Sequence, residues 1–164
     1  MKKAAIVIIF FFCYAHRAQA QVCDTSQCYI PTVGDSIAEF AENFLGTPYK
    51  YGCASPQAGF DCSGLTYYVF NHFHIAVPRS AKDYKTFGKE VSLAECRRGD
   101  IIVFRGTHPD DMRAGHVGII ISNPGEPVKF IHASSSDKHS GVVITDYYNS
   151  SYPKRFIKVI RVTS

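Results

Sequence analysis

The chain has 164 residues, which is enough for one domain with a single hydrophobic core and too few for two domains of ordinary size. Hydrophobic residues make up 46% of the sequence and charged residues 20%, which is typical of a globular protein and excludes a disordered one. The formal net charge of +4 comes without a dense run of Lys and Arg or a basic helix, so no nucleic-acid partner is predicted.

The N-terminus has the features of a secretory signal peptide. Two lysines follow the initial methionine, residues 4–15 are apolar, and Ala18-Gln19-Ala20 is a small-x-small cleavage site. The apolar run is too short for a permanent membrane span, which needs about 20 residues. We therefore predict a signal peptide over 1–20, one domain over 21–164, and an exported protein, periplasmic or extracellular, with no integral membrane segment after cleavage.

Five of the six cysteines remain after removal of the signal peptide, because Cys13 lies within it. An odd number in an oxidising compartment leaves at least one thiol unpaired or paired between chains. If one of the five is a nucleophile, the other four can pair in three ways, and we favour Cys23–Cys28 with Cys53–Cys96. Lipid attachment at Cys13 or Cys23 is a less favoured alternative, since the residues before each are not small.

Three helices are predicted in the first half of the domain. Ser36 and Glu39 have the spacing of a capping box, and apolar residues then recur at helical spacing until Gly46. Asp61 can cap a second helix over 62–72. A third helix is predicted over 80–87.

The second half of the domain has the pattern of β-strands. Runs rich in β-branched and aromatic residues are separated by clusters of Gly, Pro, Asn and Ser, and these runs span 101–104, 116–121, 129–132, 142–145 and 156–162. Helices followed by strands with short connections indicate an α+β fold with an antiparallel sheet rather than a doubly wound parallel sheet.

A candidate nucleophile lies in the segment Phe60-Asp61-Cys62-Ser63-Gly64-Leu65. Cys62 is at the first turn of a predicted helix, where the positive end of the helix dipole favours the reactive thiolate. Small Ser63 and Gly64 leave room for a substrate backbone. An isolated cysteine is more often a buried structural residue, so this motif alone does not identify a nucleophile. The features that follow are needed to support that role.

Two histidines on neighbouring predicted strands are candidates for the base and its partner. His116 opens the strand of Gly115-His116-Val117-Gly118-Ile119, where its ring can titrate near neutrality and exchange a proton with Cys62. If the next strand lies alongside, His132 can hydrogen-bond His116 and fix its tautomer. Taken alone, His116 would more often be a surface residue and His132 a buried structural one.

These and further motifs, in this order, resemble the NlpC-type cell-wall cysteine peptidases over about residues 36–163. The motifs are Gly46-Thr47-Pro48-Tyr49-x-Tyr51-Gly52, Asp61-Cys62-Ser63-Gly64-Leu65, Val77-Pro78-Arg79-Ser80, Arg98-Gly99-Asp100-Ile101, Gly115-His116-Val117-Gly118-Ile119 and Phe130-Ile131-His132-Ala133-Ser134. The resemblance implies a papain-like fold, in which N-terminal helices pack on an antiparallel sheet of five or six strands.

The resemblance also implies roles for particular residues. The catalytic triad would be Cys62, His116 and His132. The expected substrate-binding or oxyanion residues, with Tyr51 near the thiolate, are Tyr51, Asp61, Ser63 and Arg79. Family members typically cleave between D-glutamate and a diamino acid in the stem peptides of peptidoglycan, and no metal or other cofactor is predicted.

The sequence departs from the family pattern at two positions. Cys53 stands where a second glycine is usual, and Tyr84 stands where a glutamine is usual. Both are expected near bound substrate, so the identity of the bond that is cleaved is left open.

The polar segment 107–114 is either a substrate gate, through Arg113 or its two aspartates, or a solvated loop, which we favour. Tyr152 is expected to be a packing residue.

The predicted reaction is peptide hydrolysis through a thioester on Cys62, with a thiolate–imidazolium pair as the resting state. One alternative is a cell-wall binding module that has lost catalysis, and another is an amidase or acyltransferase that uses the same thiol. A metal site built from Cys62, His116 and His132 is disfavoured, because the spacing contains no Cys-x-x-Cys or His-x-x-x-His element.

Overall fold

The computed structural model describes residues 30–108, 112–137 and 139–163. The predicted signal peptide, Cys23 and Cys28 lie outside the described residues. The described residues from Pro31 onward form one compact unit. None of the helices within the described ranges is long and apolar enough to cross a membrane.

Helix α1 spans Val33–Glu42 and begins three residues before the predicted capping box at Ser36. The observed box is formed by Thr32 and Asp35: the Thr32 Oγ1 accepts from the Asp35 amide at 3.3 Å, and the Asp35 carboxylate accepts from the Thr32 amide at 2.7 Å. The predicted start was wrong because this earlier pair satisfies the free amides of the first turn. Gly46, after the helix, takes a φ of 79° and donates its amide to Val142.

A two-stranded ribbon, β1 (Ala54–Ser55) and β2 (Gly59–Phe60), precedes helix α2, which spans Cys62–His72 as predicted. Asp61 caps α2, since its Oδ1 accepts from the Gly64 amide at 2.6 Å. Gly64 packs so tightly that a Cβ atom there would lie 2.1 Å from the Cys53 carbonyl oxygen. Only glycine therefore lets the first turn of α2 approach the preceding loop.

The predicted third helix is only a short 3₁₀-helix, Ala81–Lys85, packed against the sheet. It is followed by a strand that the sequence pattern missed, β3 (Lys89–Val91), which pairs with the last strand at the sheet edge. The prediction failed here because β3 is short, charged and largely exposed, so it has no hydrophobic alternation.

The five predicted strands are all present, and with β3 they form one antiparallel sheet of six strands. They are β4 (Ile101–Arg105), β5 (Ala114–Ile120), β6 (Lys129–Ser136), β7 (His139–Asp146) and β8 (Phe156–Arg161). The strand order is β3-β8-β4-β5-β6-β7. The α+β class with an antiparallel sheet is thereby confirmed.

The sheet is buried on both faces, because consecutive strand residues point to opposite sides. The first face packs on α1 and α2 through Ile101, Val103, Val117, Ile119 and Ile131. The second face has its own cluster, which includes Cys96, Ile102, Phe104, Ile120, Phe130 and Val159. The same alternation directs His116 and His132 to this second face.

The favoured disulfide between Cys53 and Cys96 is absent, since both are free thiols in the described part of the chain. The Cys53 carbonyl accepts from the Asp61 amide at 3.0 Å, beside the start of α2. Cys96 is buried in the cluster on the second face. The sheet separates the two side chains, so that pairing was wrong.

Candidate active site

The Cys62 sulfur lies where the first turn of α2 meets strand β5. It lines a cavity together with Ala114 and Gly115, the two residues before His116. Cys62 packs with the cluster on the first face of the sheet, whereas the His116 ring contacts Phe104 on the second face, so direct proton exchange between them stays a prediction.

The ionisation of Cys62 does not match the expected resting thiolate. Burial raises the pKa of the Cys62 thiol and is the largest effect; the Val117 amide lowers it, and the negative charge of Asp61 raises it again. The amides at the start of the helix favour the thiolate but do not outweigh burial. The thiol is therefore neutral at rest.

The two candidate histidines are in direct contact, as predicted. The His116 Nε2 lies 2.9 Å from the His132 Nδ1, and the His132 Nε2 lies 2.9 Å from the Thr145 Oγ1. The rings meet because β5 and β6 are neighbours, with Ile119 paired to Ile131. Imidazole, imidazole and hydroxyl therefore form one hydrogen-bonded chain across β5, β6 and β7.

Gly118 allows strands β5 and β6 to approach closely enough for His116 and His132 to be in contact. A Cβ atom at this position would lie 2.6 Å from the Phe130 ring and 3.2 Å from the His132 Cβ. Any side chain at Gly118 would therefore push β6 or its histidine away. This gives a physical reason for the glycine two residues after His116.

Burial also sets the charge state of the histidines. It lowers the pKa of His116 well below its usual value, with further lowering from His132 and Arg155. Burial, helped by Arg155, lowers the pKa of His132 to about 3. The prediction that His116 titrates near neutrality is not supported, because desolvation disfavours the charged ring even though the residue is only half-buried. Both directions favour an uncharged resting pair over the predicted thiolate–imidazolium pair.

A cavity of about 490 Å³ opens in front of Cys62. All four predicted binding residues line it together with the thiol: Tyr51, Asp61, Ser63 and Arg79. Tyr51 is 88% exposed, so its ring stands free at the mouth of the cavity. Gly115 also lines this cavity, whereas His116 lines a different one of about 410 Å³.

Arg79 and Asp61 form the polar wall of the first cavity. The Arg79 guanidinium donates two hydrogen bonds to the Asp61 carboxylate, at 3.0 and 2.9 Å, and a third to the Ser63 Oγ at 3.2 Å. Bonding to Asp61 raises the pKa of Arg79. Because Asp61 also caps α2, its charge is already neutralised and its carboxylate is fixed in place.

The two positions that depart from the family pattern do not line the cavity of Cys62. Tyr84 is fully buried, and its hydroxyl has no hydrogen-bond partner among the described residues. Burial, with the nearby negative charges of Cys62 and Asp61, raises the pKa of Tyr84. Cys53 is partly buried beside the start of α2. Cys53 and Tyr84 therefore lie close to the cavity of Cys62 without lining it, and their effect on the substrate stays a prediction.

Tyr152 is the site residue that the sequence did not reveal. Its ring packs on Phe104 at 4.7 Å, as expected of a packing residue, but its hydroxyl also lies 3.3 Å from the His116 Nε2. No local motif signals this contact, since it depends on the 3₁₀-helix Tyr152–Arg155 folding back over the sheet. In the loop before β5, the two aspartates lie outside the described residues, so the favoured solvated loop and the alternative substrate gate both stay predictions.

The geometry defines an α+β protein with a cavity-lining thiol at a helix N-terminus and a paired imidazole on the adjoining sheet, a papain-like arrangement. The NlpC/P60 family model matches residues 46–161, and the chain belongs to that family.

Individual relatives agree with this placement. The chain is 36% identical over 133 residues to the murein DD-endopeptidase MepS/murein LD-carboxypeptidase of Escherichia coli, covering 80% of this chain and 64% of the relative. It is 33% identical over 148 residues to the gamma-DL-glutamyl hydrolase of Bacillus subtilis, covering 90% of this chain but only 32% of the relative. The chain thus spans about a third of the Bacillus protein and just under two thirds of the E. coli one.

Among solved structures, NlpC1 from Trichomonas vaginalis matches with a TM-score of 0.72 and 29% sequence identity. The match covers 84% of this chain and 47% of that one. It confirms the predicted papain-like fold.

Proposed function

We propose that the chain is a cysteine endopeptidase that hydrolyses peptide bonds in the stem peptides of peptidoglycan, with the D-glutamyl–diamino acid bond as the expected target. Cys62 is the nucleophile, His116 its base and His132 the residue that orients the base. One observation carries the proposal: the Cys62 thiol lines a cavity together with Gly115, the residue before a histidine whose Nε2 is already engaged by His132.

The hydrogen-bonded chain of side chains leaves one ring nitrogen free for catalysis. If Thr145 accepts the proton of the His132 Nε2, then the His132 Nδ1 is an acceptor and takes the Nε2–H of His116. The His116 Nδ1 then carries a lone pair and is the atom that can receive the proton of the Cys62 thiol. His132 acts here as the carboxylate or amide does in other triads.

The reaction begins from the neutral pair. His116 takes the thiol proton as the Cys62 sulfur attacks the scissile carbonyl, and the new C–S bond gives a tetrahedral oxyanion. The amide of Cys62 and the hydroxyl of Tyr51 are the donors proposed for this oxyanion. Collapse breaks the C–N bond, and His116 gives its proton to the leaving amine. Water, deprotonated by His116, then cleaves the thioester and restores the thiol.

The cavity wall accounts for recognition of the stem peptide. The Arg79–Asp61 pair and Ser63 offer fixed polar groups beside the thiol, and Tyr51 covers the mouth. The proposed ligand is therefore a charged peptide rather than a nucleic acid, and no cofactor takes part in the scheme. Action on peptidoglycan also fits the proposed location outside the cytoplasm, in the periplasm or the extracellular space.

The test is digestion of purified peptidoglycan, with the masses of the released fragments measured for the wild type, Cys62→Ala and Cys53→Ser. Fragments that end in D-glutamate are expected from the wild type and Cys53→Ser, and none from Cys62→Ala. Release of intact stem peptides from the glycan would indicate an amidase instead, and transfer to an added amine an acyltransferase. Wild-type binding without fragments would indicate a binding module, and full activity of Cys62→Ala would overturn the proposed mechanism.

A further inference from the structure

The hydroxyl of Tyr152 lies beside the bond between the two histidines. It is 3.3 Å from the His116 Nε2 and 3.5 Å from the His132 Nδ1, two atoms that are themselves 2.9 Å apart. The oxygen is therefore a second partner for the same His116 nitrogen that bonds His132. A role in packing alone would not require the hydroxyl oxygen to lie beside the two imidazoles.

The position of Tyr152 is fixed from several sides. Its ring packs on Phe104 at 4.7 Å and edge-on against Phe130 at 5.0 Å, and the Arg155 guanidinium lies 4.5 Å from the ring centre. Its amide donates to the Ser150 Oγ at 3.2 Å. These contacts hold the hydroxyl against the imidazoles without help from a ligand.

We propose that Tyr152 is a positioning residue that supports His116 as the base through its Nε2 atom, an inference that rests on the proposed roles of Cys62 and His116. When the His116 Nδ1 takes the thiol proton, the ring becomes a cation whose Nε2–H is shared between the His132 Nδ1 and the Tyr152 oxygen. Hydrogen bonds from a charged donor are about twice as strong as neutral ones, so the hydroxyl stabilises the imidazolium more than the neutral ring.

Arg155 acts on the same histidines in the opposite direction. Its positive charge lowers the pKa of both His116 and His132. The remaining titratable groups that line the cavities around the two rings are Asp137, His139 and Asp146. Burial raises the pKa of Tyr152, so its hydroxyl stays neutral over the working pH range and acts only as a dipole.

The test compares kcat/KM as a function of pH for the wild type, Tyr152→Phe and Arg155→Met, with Tyr148→Phe as the control on an exposed tyrosine. Because the free enzyme needs a neutral base, the acid limb reports the pKa of His116. Tyr152→Phe is expected to lower kcat/KM about tenfold and to move the acid limb to lower pH by about one unit, since one hydrogen bond to the cation is lost. Arg155→Met is expected to move the limb to higher pH.

If Tyr152 and Arg155 had only structural roles, both variants would lower the rate, but they would not move the acid limb in opposite directions. The pKa of His116, measured by NMR titration in Cys62→Ala with and without Tyr152→Phe, checks the same shift independently of activity. An unchanged pKa and limb in Tyr152→Phe would overturn the role of Tyr152. If Cys62→Ala were still active, the proposed function itself would fail instead.

Discussion

Arg79 binds Asp61 through two parallel hydrogen bonds of 3.0 and 2.9 Å, and Asp61 in turn caps the helix that begins with Cys62. The carboxylate therefore accepts hydrogen bonds from three neighbours: the Gly64 amide, the Ser63 hydroxyl and the Arg79 guanidinium. One acidic side chain links the helix start, the thiol and the polar wall of the cavity.

Replacement of Asp61 by Asn is expected to make Cys62 more reactive while weakening the fold. The charge of Asp61 raises the pKa of the Cys62 thiol, so its removal lowers that pKa and speeds alkylation at neutral pH. Loss of the pair with Arg79 should reduce the free energy of unfolding by about 1–3 kcal/mol. The rate of iodoacetamide labelling of Cys62, followed by peptide mass, measures the first effect, and slower labelling would contradict it.

Gly118→Ala is expected to damage both stability and activity. The added methyl would lie 2.6 Å from the Phe130 ring and 3.0 Å from the Ile131 carbonyl oxygen, which forces the strands apart at a cost of about 1–3 kcal/mol. Gly106→Ala is the matched control, because a Cβ there meets nothing within 4 Å. Urea unfolding and kcat/KM are measured for both variants, and equal effects would contradict the packing argument.

Tyr84→Phe is expected to stabilise the protein by about 1 kcal/mol, because it removes a buried hydroxyl that lacks a partner and keeps the ring. Thermal unfolding, with exposed Tyr148→Phe as the reference, measures the change. A loss of stability in Tyr84→Phe would mean that the hydroxyl is bonded in solution.

Stability is expected to fall as the pH is lowered from about 6.5 towards 3. In the folded state the pKa of His132 is about 3, whereas in the unfolded chain it is near the ordinary value. Between these values the unfolded state binds a proton that the folded state does not, so acid favours unfolding. Above about pH 6.5 the histidine is neutral in both states, and this destabilising effect vanishes.

The matched variant for this prediction is His132→Asn, which retains hydrogen-bonding atoms but does not titrate. Its melting temperature should depend less steeply on pH over the same range, while its kcat/KM falls because His116 loses its partner. Parallel pH profiles for the wild type and His132→Asn would show that the histidine is not buried in its neutral form.

Features that depend on neighbouring residues could be predicted from the sequence. The helix that begins at Cys62 was predicted with its bounds, because Asp61 caps it locally and Gly64 suits the tight first turn. The five strands of the second half were recognisable from their β-branched runs. The start of α1 was missed by four residues, because Thr32 and Asp35 cap the helix one turn before Ser36 and Glu39, and β3 was missed because only its pairing with β8 defines it.

The sequence by itself determined the fold class, the family resemblance and the residues that converge around Cys62, since the hydrogen bonds and hydrophobic periods behind them lie within short segments. Only the tertiary structure decided that burial favours the uncharged thiol and imidazoles, that Cys53 and Cys96 lie apart, and that Tyr152 touches both histidines. Charge states depend on burial from all sides, and contacts between distant residues depend on strand order and register. Neither burial nor the order and register of the strands is determined by any single stretch of the chain.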